Sequence, residues 1–310
     1  VPAPRLFCFG LGYCAVRLAR RLETRGFEIV GTTRDVAAKR AALAREGVGE
    51  GWSLVAFDGE RPLDAAGSEA LRGATHLLHS IMPGEVEGGE DERSEGERVD
   101  PALRWHAAAL DELRARGQLR WLAYLSTTGV YGDHGGAWVD EDMPRRPSKA
   151  RARRRVLAED AWLARGADVF RLAGIYGPGR SALERVEGGR ARRVIKAGKV
   201  FNRVHVDDIV EVLTAALTLA DGCAGPGRAF NVADGNPAGS DEVLAYAAQL
   251  LGLPPPPAVA FEDAELSAMA RSFWQDNLRV DARRVRERLG VEFAYPDYRA
   301  GLEACLRARG

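Results

Sequence analysis

An α/β fold built on a doubly wound parallel sheet is predicted by three features of this sequence. Short apolar runs alternate with helical patterns along most of the chain, the first run feeds into Gly10-Leu11-Gly12-Tyr13-Cys14-Ala15, and a helix-period stretch follows that turn. Alternation of this kind reads as βαβ units, and a glycine turn joining strand to helix makes the sheet Rossmann-type. At 310 residues the chain exceeds one simple core, so a smaller C-terminal substrate lobe is predicted beside the sheet.

The elements follow in order. Leu6 to Phe9 is the first strand. In the helix after the turn, Ala15, Leu18, Ala19 and Leu22 fall on one face, and Gly26 stands where a left-handed residue would stop it. The runs Glu28 to Gly31, Leu54 to Phe57, His76 to Ser80, Trp121 to Ser126, Val169 to Leu172 and Phe230 to Ala233 supply the other strands. Pro83 to Asp100 is acidic, glycine-rich and poor in apolar residues, which predicts a mobile surface loop. Lys149 to Arg155 and Arg190 to Lys199 are rich in arginine. Beyond Ala233 the chain turns irregular through Pro254 to Pro257 and closes with helical segments around Asp281 to Leu289 and Tyr298 to Arg307. The predicted division is 1–176 for the nucleotide-binding domain, with 204–233 returning to it, and 177–203 with 234–310 for the smaller lobe.

Composition narrows the function. Lys plus Arg and Asp plus Glu each number 44, so no global field draws nucleic acid or an anionic membrane. Cys8, Cys14, Cys223 and Cys305 form no CxxC pair, which suits a reducing cytoplasm. The opening residues Val1 to Arg5 lead into an apolar run too short for a signal peptide or a spanning helix, so a soluble, cytoplasmic protein is expected. Five histidines never reach ligand spacing with a cysteine or carboxylate pair, and no metal is predicted.

The turn Gly10, Leu11, Gly12, Tyr13, Ala15 is predicted to hold the pyrophosphate of a nicotinamide dinucleotide. Its glycines allow close backbone approach, and the helix N-terminus faces the anion. An NAD site carries an acid at the end of the second strand, whereas this chain reads Thr32-Thr33-Arg34. Arg34 can pair with a 2′-phosphate and Thr33 adds a hydroxyl without repelling charge, so NADP is favoured. NAD is the alternative if Asp35 turns inward. Asp58, after the third strand, stands near the adenine or forms a turn, and Ser80, after the fourth, joins the cofactor residues.

Three later motifs are Ser126-Thr127-Thr128-Gly129-Val130-Tyr131-Gly132, Arg171-Leu172-Ala173-Gly174-Ile175-Tyr176-Gly177-Pro178-Gly179 and Val204-His205-Val206-Asp207-Asp208. Together with the glycine turn they resemble, along nearly the whole chain, the extended short-chain dehydrogenase/reductases of the NAD-dependent epimerase/dehydratase family. The resemblance implies that Thr127 orients a reacting carbonyl and that Gly174 and Ile175 pass beside the nicotinamide. In the family a Tyr four residues before a Lys supplies the proton. Matching Glu159 to the family's Glu puts Arg151 and Arg155 at those two places, so the dyad is missing and the chain is similar to an atypical, tyrosine-lacking branch. Arginine cannot serve, because its pKa lies above about 12.

Tyr131 and Tyr176 are then the candidate proton donors, each needing a cation to lower its pKa. Asp140 and Glu141 read as solvated loop carboxylates, with a base projecting into the cleft as the alternative, and His205 reads as a core residue, with Asp207 or Asp208 capping the next helix. In the family layout Arg151, Arg155, Arg180 and Arg203 converge on the substrate region, which suits an anion. Two functions remain: an NADP-dependent oxidoreductase or epimerase on a small anionic or nucleotide-linked substrate, or a non-catalytic NADP(H)-binding sensor or scaffold. An RNA-contacting surface is disfavoured by the zero net charge. The oligomeric state is left open, since the arginines after Lys149 would crowd the family's helical dimer contact.

Overall fold

The first strand, β1 (Arg5–Phe9), is buried from its second residue onward and runs into α1 (Tyr13–Glu23) through the glycine turn. The chain continues through β2 (Glu28–Thr33), α2 (Val36–Arg45), β3 (Ser53–Ala56), α3 (Ala65–Arg72) and β4 (His76–His79). After these come α4 (Glu95–Val99), α5 (Pro101–Ala115) and β5 (Trp121–Thr127). The computed structural model describes residues 3–85, 94–220 and 226–309.

The middle of the chain holds β6 (Trp138–Val139), α6 (Ala150–Leu163), β7 (Asp168–Leu172), β8 (Gly174–Tyr176), α7 (Ala182–Glu187), β9 (Arg193–Ile195) and β10 (Arg203–His205). The remainder is α8 (Val206–Thr218), β11 (Arg228–Val232), α9 (Ser240–Leu250), β12 (Ala258–Ala260), α10 (Ala268–Ser272), β13 (Arg279–Val280), α11 (Arg283–Leu289) and α12 (Tyr298–Arg307). The seven-stranded sheet has the order β11-β7-β5-β4-β1-β2-β3, and β1 pairs in parallel with β2 on one side and β4 on the other. Each of the seven apolar runs read from the sequence overlaps one of these strands, and the fold is Rossmann-type α/β.

Two units divide the chain. The first contains Val1–Ser126, Ala150–Phe170 and Leu213–Ala229; the second contains Thr127–Lys149, Arg171–Val212 and Phe230–Gly310. The first unit is cored by Phe7, Phe9, Leu77, Leu103, Leu122, Tyr124 and Trp162, all essentially sealed from solvent. In the second unit, α7, α9 and α12 enclose Leu183, Leu244, Ala247, Tyr298 and Leu302. Three short parallel pairs, β8 with β10, β9 with β12 and β6 with β13, complete it.

Helix boundaries follow local chemistry. α1 ends at Glu23, and Gly26 is left-handed at φ +80°, as its position after the apolar face predicts. The acidic segment differs from its prediction. Residues 86–93 of the predicted mobile loop lie outside the described residues, but its end is helical. The Ser94 hydroxyl accepts the Glu97 N–H at 3.2 Å while the Glu97 carboxylate accepts the Ser94 N–H at 2.8 Å, a reciprocal cap that starts α4. Gly96 lets that helix approach α6, since a side chain there would meet Ala161 Cβ at 3.0 Å. The acidic composition hid the Ser-x-x-Glu signal. Cys223 also lies outside the described residues, and Cys8, Cys14 and Cys305 are buried thiols in no disulfide. Among the described residues, no helix is long and apolar enough to cross a membrane.

Candidate functional site

The glycine turn in the first unit is fixed from below and open above. Gly10 sits at φ +87°, where a Cβ would meet Ser80 Oγ at 2.8 Å and Ile81 Cγ1 at 2.9 Å. Its N–H donates to the Thr32 hydroxyl at 2.8 Å, and its carbonyl accepts from the Ser80 hydroxyl at 2.6 Å. The Leu11 N–H donates to Thr32 O at 2.9 Å, its carbonyl accepts Lys39 Nζ at 2.8 Å, and its side chain covers Gly31 of β2. Gly12 has no neighbour within 4 Å of a would-be Cβ, and α1 starts there with no side-chain cap and no acid in its first turn. Ala15 is buried, and the Arg17 guanidinium lies 3.8 Å over the Tyr13 ring. An uncapped helix N-terminus behind an open glycine fits a pyrophosphate.

At the end of β2 the acid is engaged. Asp35 accepts the Ala38 N–H at 2.9 Å as the N-cap of α2, and the Thr33 hydroxyl donates to Asp35 O at 3.3 Å. Arg34 is exposed and makes no hydrogen bond or ion pair among the described residues. Asp58 forms a turn, accepting the N–H groups of Glu60 and Arg61 at 2.9 and 3.3 Å. The Glu60 N–H, with Arg61 beside it, holds this exposed carboxyl below the ordinary range.

Thr127 ends β5 half-buried, and its hydroxyl accepts the Gly129 N–H at 3.2 Å to start a single 3₁₀ turn. Tyr131, at the end of that turn, is sealed. Its hydroxyl donates to Asn231 Oδ1 at 2.7 Å and accepts from Arg171 Nη1 at 2.8 Å. Burial pushes this phenol up to about 12 although Arg171 opposes the shift. The Tyr176 hydroxyl donates to Asp297 O at 3.3 Å, its ring lies edge-on to His205 at 5.2 Å, and burial raises its pKa. Gly174 and Ile175 pair with Arg203 and Val204 in the β8–β10 ladder.

Glu141 corrects its prediction as a solvated carboxylate. Its side chain is 1% exposed, its Oε1 accepts the Asn231 N–H at 2.7 Å, and burial raises its pKa. Asp140 instead organises its own loop, accepting the Asp142 N–H at 3.0 Å. His205 is a core residue as predicted, but it does the capping itself. Its Nδ1 accepts the Asp207 N–H at 3.2 Å, while buried Asp208 reaches the N–H groups of Ala294 and Tyr295 at 2.8 and 3.2 Å.

The four arginines read as anion-binding separate between the units. Arg151 and Arg155 lie on α6 in the first, where buried Arg155 donates to the Tyr124 hydroxyl and to Leu125 O, both at 3.0 Å. Glu159, one turn on, accepts from the Ser126 hydroxyl. Arg180 and Arg203 line a cavity of about 1120 Å³ contained within the second unit. Its wall adds Arg185, Arg190 and Arg192, making five guanidinium groups against the two carboxylates of Glu184 and Glu265. Glu184 is occupied by Ser181 and by Arg309 at 2.6 Å. Burial opposes the shift, yet these partners bring its pKa down to about 2. Phe201, Phe273, Trp274 and Tyr298 form the apolar wall.

Arg203 is pinned by one nitrogen only. Its Nη1 donates to Phe201 O at 2.9 Å and Ala238 O at 3.0 Å, while Nε and Nη2 have no acceptor among the described residues. Arg185 and Arg190 make no hydrogen bond or ion pair among the described residues. The sequence marked Arg190 to Lys199 as arginine-rich but gave no sign of Arg185 or of the aromatic wall, because the cavity gathers them from four separate segments.

With this geometry in hand, comparison with known proteins is decisive. No family model matches the chain. Protein YeeZ of Escherichia coli (strain K12) is 30% identical over 300 residues, spanning 93% of this chain and 95% of its own. The chain belongs to the YeeZ family. A conserved protein of Silicibacter pomeroyi DSS, described as functionally unknown, is 44% identical with a TM-score of 0.82, over 98% of this chain and 99% of its own. The fold of this YeeZ relative is that of the NAD-dependent epimerase/dehydratase family. MoeE5, solved with UDP-glucose and NAD, superposes at a TM-score of 0.68 with 19% identity, over 99% of this chain and 100% of its own. WbmG of Bordetella bronchiseptica, solved with NAD, superposes at 0.70 with 18% identity, over 99% of this chain and 94% of its own.

Proposed function

We propose that this chain is a cytoplasmic NADP(H)-dependent oxidoreductase or epimerase whose substrate is a small molecule carrying a phosphate or nucleotide group. The observation that carries the reading is the pair Arg34 and Asp35. The acid that would bind an unphosphorylated ribose caps α2, and the neighbouring guanidinium has no partner among the described residues. Arg34 and Thr33 would hold the 2′-phosphate, and Gly10, Gly12 and the start of α1 the pyrophosphate. The bound dinucleotide would supply the hydride chemistry. Thr127 orients the carbonyl through its hydroxyl. In the second unit, Arg203 offers a two-nitrogen fork to a phosphate while Arg180, Arg185, Arg190 and Arg192 raise the local anion concentration. The UDP-glucose held by MoeE5 and the UDP held by WbmG support a nucleotide-linked ligand.

Calorimetric titration of NADPH and NADH into the wild type and Arg34→Ala tests the cofactor. NADPH affinity is expected to fall about tenfold or more in the variant with NADH nearly unchanged. Equal loss of both, or none, would sink the NADP assignment. A second reading is a binding protein without turnover, favoured by the closed hydrogen bonds of Tyr131 and Tyr176. Hydride exchange from labelled NADPH into bound substrate separates the two.

A further inference from the structure

Behind Arg203 lies an acid with no assigned task. Asp234 is 4% exposed, and its N–H donates to Arg203 O at 2.8 Å, tying the residues that follow β11 to β10. Oδ1 accepts the Asn236 N–H at 3.0 Å, but the buried Oδ2 has no hydrogen-bond partner among the described residues. A buried carboxylate oxygen without a donor is costly, and an acid in that position is retained more cheaply as the neutral form.

The groups facing Asp234 come from four elements. Arg203 on β10 attracts its charge, Asp208 on α8 and Asp297 at the cap of α12 oppose it, and Tyr176 on β8 faces it as a neutral phenol whose pKa that charge raises. Arg203 and Asp234 do not form a closed ion pair, so the guanidinium keeps its fork for the cavity and feels the carboxylate only through space. We propose that Asp234 is a charge-tuning and positioning residue for Arg203, so that the cavity binds a phosphorylated ligand more tightly when this carboxyl carries its proton. The proposal rests on the reading of the cavity as an anion site. Burial and the two flanking aspartates raise Asp234 to about 7 against the pull of Asn236 and Arg203, which puts the change in the neutral range. Linkage then demands the converse: an anion on Arg203 cancels the charge that favours ionised Asp234, so binding takes up protons.

UDP-glucose is a suitable probe because each phosphate, bound through one ester and the shared anhydride, carries one fixed charge between pH 6 and 8. Titration into the wild type at pH 6, 7 and 8 is expected to show affinity falling on the order of five- to tenfold as pH rises. Binding heats at pH 7 in two buffers of different ionisation enthalpy should reveal fractional proton uptake. Asp234→Asn, checked for folding by its melting curve, should bind with a flat pH profile and no uptake. A wild type with neither slope nor uptake overturns the inference, as does a slope that persists in the variant. Failure of UDP-glucose to bind the wild type at any of these pH values would instead overturn the anion-site reading itself.

Discussion

Asp100 carries more of the first unit than any residue singled out in the sequence. Its Oδ1 accepts the N–H groups of Ala102 and Leu103, both at 3.0 Å, and caps α5; its Oδ2 accepts Trp162 Nε1 and His79 Nε2, both at 2.9 Å. Burial alone would raise its pKa, yet His79 and these hydrogen bonds hold it below the ordinary carboxylate value. All four partners lose their acceptor together in Asp100→Ala, which should cost about 3–5 kcal/mol of stability in a denaturant titration. A loss under 1 kcal/mol would mean that the site relaxes or fills with water. The sequence places this residue at the end of a predicted mobile surface loop, although Asp100-Pro101 is a helix-start signal; its contacts with His79 and Trp162 depend on strands and helices that sequence spacing does not align.

Among the elements, the strand–turn–helix at the start of the chain separates fold from function most cleanly. Gly10 needs its left-handed φ and the space beside Ser80, whereas Gly12 has φ −87° and open surroundings. Gly10→Ala should lower stability by about 1–3 kcal/mol and abolish dinucleotide binding. Gly12→Ala should melt like the wild type and still bind dinucleotide weakly, because its Cβ intrudes only where the pyrophosphate would lie. Equal melting losses in both would show that Gly12 also serves packing. This turn was readable because strand, glycines and helix are contiguous. The ladders β8–β10, β9–β12 and β6–β13 were not. Each is two or three residues long and pairs segments about 30 to 140 residues apart, so no local pattern announces them. The cavity arginines share that difficulty, and Arg155, read toward substrate, is bound by Tyr124 and Leu125 instead.

On the scale of the whole molecule, four buried groups set how stability responds to pH. Burial, aided by Arg120 at the first, pushes His76 and His106 down to about 4 from 6.5, so each withdraws stability as pH falls through that interval. Burial lifts Asp208 to about 6 and Asp234 to about 7 from 3.8, so each withdraws stability as pH rises through its interval. Two slopes of each sign nearly cancel. Unfolding free energy from urea titration is expected to stay within about 1 kcal/mol between pH 5 and 8. Asp234→Asn should tilt the profile so that stability rises from pH 5 to 7, and a level profile in that variant would remove Asp234 from this balance.

The strand order has a consequence for synthesis. Counting outward from β1, each successive strand joins an existing border of the sheet: β2 and β3 to one side, then β4, β5, β7 and β11 to the other. A chain emerging from the ribosome therefore never has to prise apart a finished ladder to insert a late strand. It does, however, present a raw border at each stage, and β7 keeps one open for the fifty-odd residues of translation that precede β11. That interval is when the nascent protein most needs shielding by a chaperone.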